Sequence, residues 1–238
     1  MRYVLIAAAA LAAGLVQGIA GFGSGPVQML VYPALWALPT AAAVSVCVSV
    51  PLNAHMVWTY RGEINWKNVL WPALPYMAVC FTAIHFAPLA DPALMKRVFG
   101  GFLILLAAWH FIFSRREQPP LTRPLAALYI FISALCDAFF GIGGPLMVLF
   151  FLHRTRSGRE YLGTVAAFFL LNGIANTLYR VFAGILTPAQ LPAVGVGIAA
   201  ILAGSLAARR LVGRMNDARL RAITYGMIGL CGLINLLG

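Results

Sequence analysis

An all-α, polytopic transmembrane helical bundle is the fold class this sequence predicts, on three observations. The chain has 238 residues, of which 62% are hydrophobic and only 10% charged. Soluble domains carry about 25% charged residues, so this chain cannot clothe a water-facing surface. Its apolar stretches repeatedly approach the ~20 residues a helix needs to cross a hydrocarbon core. Its 23 Gly and 14 Pro are high for helices in water, but neighbouring helices in a membrane re-satisfy the backbone groups they free.

The apolar segments fall into two series, at 3–20, 24–38, 40–60, 67–88 and 94–113, and at 124–140, 144–153, 160–183, 188–208 and 219–237. Segment 144–153 is too short to span, and 24–38 is marginal. The start of the chain has a weak likeness to a signal peptide. A retained first helix is the better reading, because the motif that follows it recurs later. Between the series lies a polar, proline-bearing break, Ser114-Arg115-Arg116-Glu117-Gln118-Pro119-Pro120. The division expected is an N-terminal repeat over 1–113, a basic cytoplasmic linker over 114–123 and a C-terminal repeat over 124–238.

The two series resemble each other. Gln17-Gly18-Ile19-Ala20-Gly21-Phe22-Gly23-Ser24-Gly25-Pro26 parallels Asp137-Ala138-Phe139-Phe140-Gly141-Ile142-Gly143-Gly144-Pro145, with one residue more in the first. Two weaker likenesses follow in the same order, 60–64 with 182–186 and 93–98 with 218–223. Charge then suggests orientation. The loops 61–67, 114–123, 153–160 and 209–221 hold two, three, three and five Lys/Arg, thirteen of the seventeen. Such loops stay in the cytoplasm. They share one side if each Gly-linked pair of segments enters and leaves together, which inverts one repeat relative to the other and places both termini outside. Inverted repeats are a transporter signature, with the substrate site at their interface near the midplane.

The Gly-Pro motifs carry the chemistry. Each interrupts an apolar run and opens a helix at Pro26 or Pro145, where proline's missing N–H is no loss. The N–H groups at a helix start form an anion site, which the helix dipole favours further. Gly21, Gly23, Ser24, Gly25, Pro26, Gly141, Gly143, Gly144 and Pro145 are therefore candidate substrate-binding residues. The plainer reading is close packing through small residues, but duplication at two broken segments favours binding.

The runs Gly-Ile-Ala-Gly-Phe-Gly-Ser-Gly-Pro (18–26) and Gly-Ile-Gly-Gly-Pro (141–145), one in each half of an all-membrane chain of this size, resemble the sulfite exporter TauE/SafE family, also called the TSUP permeases. The resemblance spans essentially the whole chain. It implies secondary transport, export above all, of sulfur-containing anions such as sulfite or sulfonates, and in some members of other organic anions.

Polar residues inside spans are costly and often functional. Asp137 matches Gln17 across the repeat and is the candidate proton-coupling group. Its plainer role is a carboxyl in a water-filled vestibule. Asn172 and Asn176 lie four apart, with Arg180 a turn further on, and Ser45, Ser49 and Asn53 form a corresponding stripe in the first half. Gln17, Asn53, Asn172 and Asn176 are expected to add polar substrate contacts. Arg180 offers either a charge for the anion or a side chain snorkelling to the interface. His55 lies on a different face from Asn53, and the tryptophans suit interface anchoring. The four cysteines lie in apolar stretches without CxxC spacing and read as packing residues.

No HExxH, GxSxG or Walker sequence is present, and 21–25 lacks the Lys-Ser/Thr of a phosphate-binding P-loop. An enzyme is therefore not expected, nor a catalytic residue, metal or cofactor. The partners expected are a small anionic substrate and the lipid bilayer, with no nucleic acid. Monomer and homodimer both stay open. The chain is expected in the cytoplasmic (inner) membrane. A passive anion channel, or a subunit handing a sulfur compound to a soluble enzyme, are the rival functions.

Overall fold

The computed structural model describes residues 1–87 and 120–212 (209–212 for the backbone alone), with 91, 93–95, 97, 98, 100, 101, 104, 105 and 108 between them. The expected segments 94–113 and 219–237, the linker stretch 114–119, the likeness of 93–98 to 218–223 and the residues Trp109, His110 and Cys231 lie wholly or partly outside that set.

All regular structure among the described residues is helical. In chain order it comprises α1 (Arg2–Ala20), α2 (Ser24–Gln28), α3 (Leu38–Thr59), α4 (Trp66–Phe86), α5 (Arg123–Phe140), α6 (Gly144–Leu152), α7 (Gly158–Phe182) and α8 (Leu191–Val212), with 3-10 turns at Tyr32–Ala34, Arg61–Glu63 and Pro188–Gln190. Six helices among the described residues are long and apolar enough to cross a membrane: α1, α3, α4, α5, α7 and the stretch Pro188–Ala208. The chain is thus a multi-pass α-helical membrane protein. The apolar stretch 24–38 is not one helix: it divides into α2, a 3-10 turn and the start of α3.

The two breaks have a backbone cause. α1 ends where Gly21 turns left-handed (φ 78°), its N–H on the Gln17 carbonyl at 2.8 Å. α5 ends the same way at Gly141 (φ 64°), its N–H on the Asp137 carbonyl at 2.9 Å. An L side chain there costs about 1–2 kcal/mol, which glycine avoids. The extra residue of the first motif is taken up by a second left-handed glycine, Gly23 (φ 110°). At 1.5 Å per residue, neither α2 (5 residues) nor α6 (9 residues) can cross, so each stops inside.

Contacts between elements establish which ends lie together. Asn65 donates its backbone N–H to Thr164 Oγ1 (3.0 Å) and its amide to Glu160 Oε1 (3.1 Å), while Asn68 donates to the Arg154 carbonyl (2.9 Å). The basic loops 61–67 and 153–160 therefore share one end. At the opposite end, Arg180 reaches the Pro39 carbonyl (3.1 Å), so α3 and α7 run antiparallel. The Arg2 guanidinium lies over the Trp36 ring, 4.5 Å from its centroid, which returns the chain after α2 to the end where α1 began. α4 runs beside α5 in the same direction, Tyr76 near Ser133 and Cys80 near Asp137. The α5–α6 pair thus enters from the end at which the α1–α2 pair does not.

Packing follows the same scheme. α3 and α7 form the centre, α1 lies along α8 and α4 along α5. In lipid, helices associate through close backbone contact rather than through hydrophobic drive. Accordingly, a Cβ on Gly14 would run into the Ile201 carbonyl, and one on Gly204 into that of Leu11. Trp58, Trp66 and Trp71 stay exposed around the basic-loop end, with Arg61 and Arg154 over the rings of Trp58 and Trp71.

Candidate functional site

The two glycine loops meet. A Cβ on Gly25 would strike the Gly141 carbonyl oxygen, and Phe22 packs 3.5 Å from where a Gly144 Cβ would stand. Around this contact lies a cavity of about 60 Å³. A water takes about 30 Å³ of liquid, so the space suits a species of a few heavy atoms.

The cavity wall gathers residues from both halves. Gln17, Gly23, Ser24, Gly25, Pro26, Asn53, Asp137, Gly141, Gly143, Gly144 and Asn172 line it, joined by Phe22, Val46, Ser49, Ile142, Phe169 and Gly173. Of the residues singled out from the sequence, Gly21, Pro145, Asn176 and Arg180 do not line it. Gly21 forms the α1 break. Pro145 sits buried in the first turn of α6. Of the amides that open the two short helices, the Ser24 N–H goes to Gln17 Oε1 at 3.3 Å and Pro26 and Pro145 have none, so the donors left to the wall are the amides of Gly25 and Gly144.

A pair of buried polar contacts brackets the cavity. In the first half, Gln17 Nε2 donates to Asn53 Oδ1 at 2.7 Å. In the second, Asn176 Nδ2 donates to Asp137 Oδ2 at 3.1 Å. Gln17 and Asp137, which open the two similar motifs, thus each pair with an asparagine of a later helix. The Asp137 carboxyl also receives the Cys80 thiol at 3.9 Å. The Tyr76 hydroxyl lies against Gly143, where a Cβ would collide with it.

Arg180 does not reach the interface. It is 1% exposed, so it does not snorkel. Its Nε donates to Asn176 Oδ1 (2.6 Å), Nη2 to the carbonyls of Asp137 (3.1 Å) and Ala138 (2.6 Å), and Nη1 to that of Pro39. The Asp137 and Ala138 carbonyls belong to the last turn of α5, where intrahelical donors run out and a cation suits the dipole. Arg180 caps the broken helix and ties it to the start of α3.

A further network lies behind Ser24. Ser49 Oγ donates to the Ser45 carbonyl (2.9 Å), accepts from Gln28 Nε2 (3.1 Å) and stands 3.0 Å from Ser24 Oγ. Gln28 is fully buried and was not singled out from the sequence. A Gln four residues after Ser24 in an apolar run was the available signal. His55 lies apart, in a surface groove with Trp58, Thr59 and Arg61. Among the described residues no group of three or more His, Cys, Asp or Glu stands close enough to hold a metal ion.

Helices broken at paired glycine motifs around a central polar cavity define the class, a multi-pass membrane protein built as transporters are. The family model described as "Sulfite exporter TauE/SafE" matches residues 6–234, and the chain belongs to that family. No curated protein and no solved structure matches it.

Proposed function

We propose that this chain is a secondary transporter of the cytoplasmic membrane that exports small sulfur-containing or organic oxyanions, with proton coupling through Asp137. The observation that carries the reading is the meeting of the two Gly-Pro loops at one polar cavity. Helix-start N–H groups attract an oxyanion without a fixed cation, and among the described residues no Lys or Arg lines the cavity. A substrate is then held firmly enough to bind yet lightly enough to leave.

Asp137 supports the coupling. Two unit charges about 5 Å apart at an effective dielectric constant of about 20 repel by about 3 kcal/mol. An anion in the cavity and an ionised Asp137 therefore disfavour each other by up to about a hundredfold, and a proton on the carboxyl relieves it. The first half carries neutral Gln17 at the matching place, so the coupling is one-sided. The antiparallel α3 and α7, and re-entrant pairs that enter from opposite ends, support two inverted repeats, 1–113 and 124–238. With the basic loops in the cytoplasm, both termini lie outside.

The test is counterflow in proteoliposomes loaded with sulfite, thiosulfate, sulfoacetate, taurine or small carboxylates, with and without a pH gradient. Saturable exchange of one of these anions is expected. Unsaturable flux would indicate a channel, and no flux of any anion would overturn the reading.

A further inference from the structure

Resting on the coupling role of Asp137, a second role in the proton step falls to the tyrosine beside it. Tyr76, on α4, is fully buried. Its ring meets Phe168 edge-on, with centroids 5.1 Å apart, so the ring is held while the hydroxyl hydrogen still turns. Two acceptors lie within reach of that hydrogen. One is the Ser133 carbonyl at 3.4 Å, because a helical carbonyl keeps a second lone pair. The other is the Asp137 carboxyl. A Cβ on Gly143 would collide with the Tyr76 hydroxyl and stand 3.0 Å from Asp137 Cβ, so the two side chains are neighbours.

The other partners of the carboxyl are fixed in polarity. Asn176 Nδ2 donates to Asp137 Oδ2 at 3.1 Å. Asn176 cannot reverse, because its Oδ1 takes Arg180 Nε at 2.6 Å. Arg180 has only donors to offer. The Cys80 sulfur, a weak acceptor, already receives Asn176 at 3.4 Å, while its thiol points at Asp137 Oδ2. Tyr76 and Cys80 on α4, Cys136 on α5 and Arg180 on α7 are the titratable and charged groups set around Asp137 among the described residues.

An ionised Asp137 is therefore well served with donors. A protonated one carries an O–H of its own, which needs an acceptor in a buried place. Among these neighbours the Tyr76 hydroxyl is the oxygen that both donates and accepts. We propose that Tyr76 is the positioning residue of the proton step, turning its hydrogen to Asp137 in one state and to the Ser133 carbonyl in the other. When Asp137 takes up a proton, the Tyr76 oxygen accepts the carboxyl hydrogen in return. The change is a rotation of one hydrogen with a slight tightening of the 3.4 Å contact. The proton itself enters and leaves through the cavity that Asp137 lines, and Tyr76 gives up none.

The experiment follows labelled sulfite in proteoliposomes as uptake driven by a pH gradient and as counterflow at equal pH. Counterflow returns the loaded carrier without releasing its proton, so the ratio of the two rates isolates the proton step from the stability of the fold. Tyr76→Phe keeps the ring and removes the hydroxyl. It is expected to lower that ratio about tenfold or more, the cost of one buried O–H without an acceptor. Cys80→Ala, which removes only a weak partner, is expected to stay within about twofold of the wild type. A purely structural Tyr76 would depress both rates together, and an unchanged ratio in Tyr76→Phe beside a lowered one in Asp137→Asn overturns this inference alone. An unchanged ratio in Asp137→Asn overturns the coupling role on which it rests as well. Should Tyr76→Phe fail to assemble, infrared difference spectra of the wild type between acid and neutral pH decide, with ring-labelled tyrosine. A tyrosine band and a carboxyl band that shift together, both lost in Asp137→Asn, are expected. Tyrosine bands that stay still overturn the inference.

Discussion

Replacing Gly25 with alanine is expected to abolish transport while the bundle still assembles. The new Cβ would run into the Gly141 carbonyl oxygen, a main-chain atom that no rotamer can move. An ordinary carbon–oxygen contact stands at about 3.3–3.6 Å, so the loops must part by roughly 1 Å. Overpacking of this kind destabilises by about 1–3 kcal/mol, within what a membrane bundle survives. The consequence for the cavity is larger, because its wall is the seam being parted. A displacement of about 1 Å in a pre-organised site is worth on the order of a hundredfold. The control is Gly62→Ala, where an added Cβ meets nothing within 4 Å. Thermal unfolding in detergent and counterflow in proteoliposomes read the two effects separately. A Gly25→Ala protein that transports as well as Gly62→Ala would refute the claim that the loop contact forms the site.

Other outcomes follow from the same geometry. Arg180→Met leaves the Ala138 and Pro39 carbonyls and Asn176 Oδ1 without the donor they share, and is expected to destabilise by about 1–3 kcal/mol or more. Arg180→Lys should recover only part of this, since an ammonium lacks the guanidinium fork, and thermal unfolding midpoints check both. Gly143→Ala is expected to unsettle the second loop because the Tyr76 hydroxyl occupies the space. Adding Tyr76→Phe should restore part of the stability, a coupling of at least about 0.5 kcal/mol in a double-mutant cycle. Asp137→Asn is expected to weaken transport driven by a pH gradient while sparing exchange at equal pH. Unchanged gradient dependence would remove Asp137 from the mechanism.

Much of the bundle is legible in the sequence because lipid enforces a simple rule, a run of apolar residues long enough to cross. α1, α3, α4, α5 and α7 fall within two residues of the apolar segments that predict them. The stretch 24–38 shows where the rule weakens. Hydropathy sums over Gly23, Pro26 and Pro33 without registering that the chain turns there, whereas the repeat of the motif registers it. The cavity is half legible for the same reason. Gln17, Asn53, Asp137 and Asn172 stand out as polar residues in apolar runs, while Phe22, Val46, Ile142 and Phe169 carry no signal and join the wall only by folding. Arg180 stands out as a charge in an apolar run, but most of its partners are backbone carbonyls. Every residue has one, so no side-chain pattern announces them. Cys80, expected as packing, stands beside Asn176 and Asp137, a place set by the pairing of α4 with α5 rather than by its own neighbours in the chain.

The central claim is that the cavity between the glycine loops binds a small oxyanion through donors such as the Asn53 amide. Equilibrium binding of ³⁵S-labelled sulfite to the purified protein, wild type and Asn53→Leu, tests it most directly. The account predicts one saturable site in the wild type, weakened about tenfold or more by Asn53→Leu. Binding that never saturates, or that Asn53→Leu leaves unchanged, would contradict it.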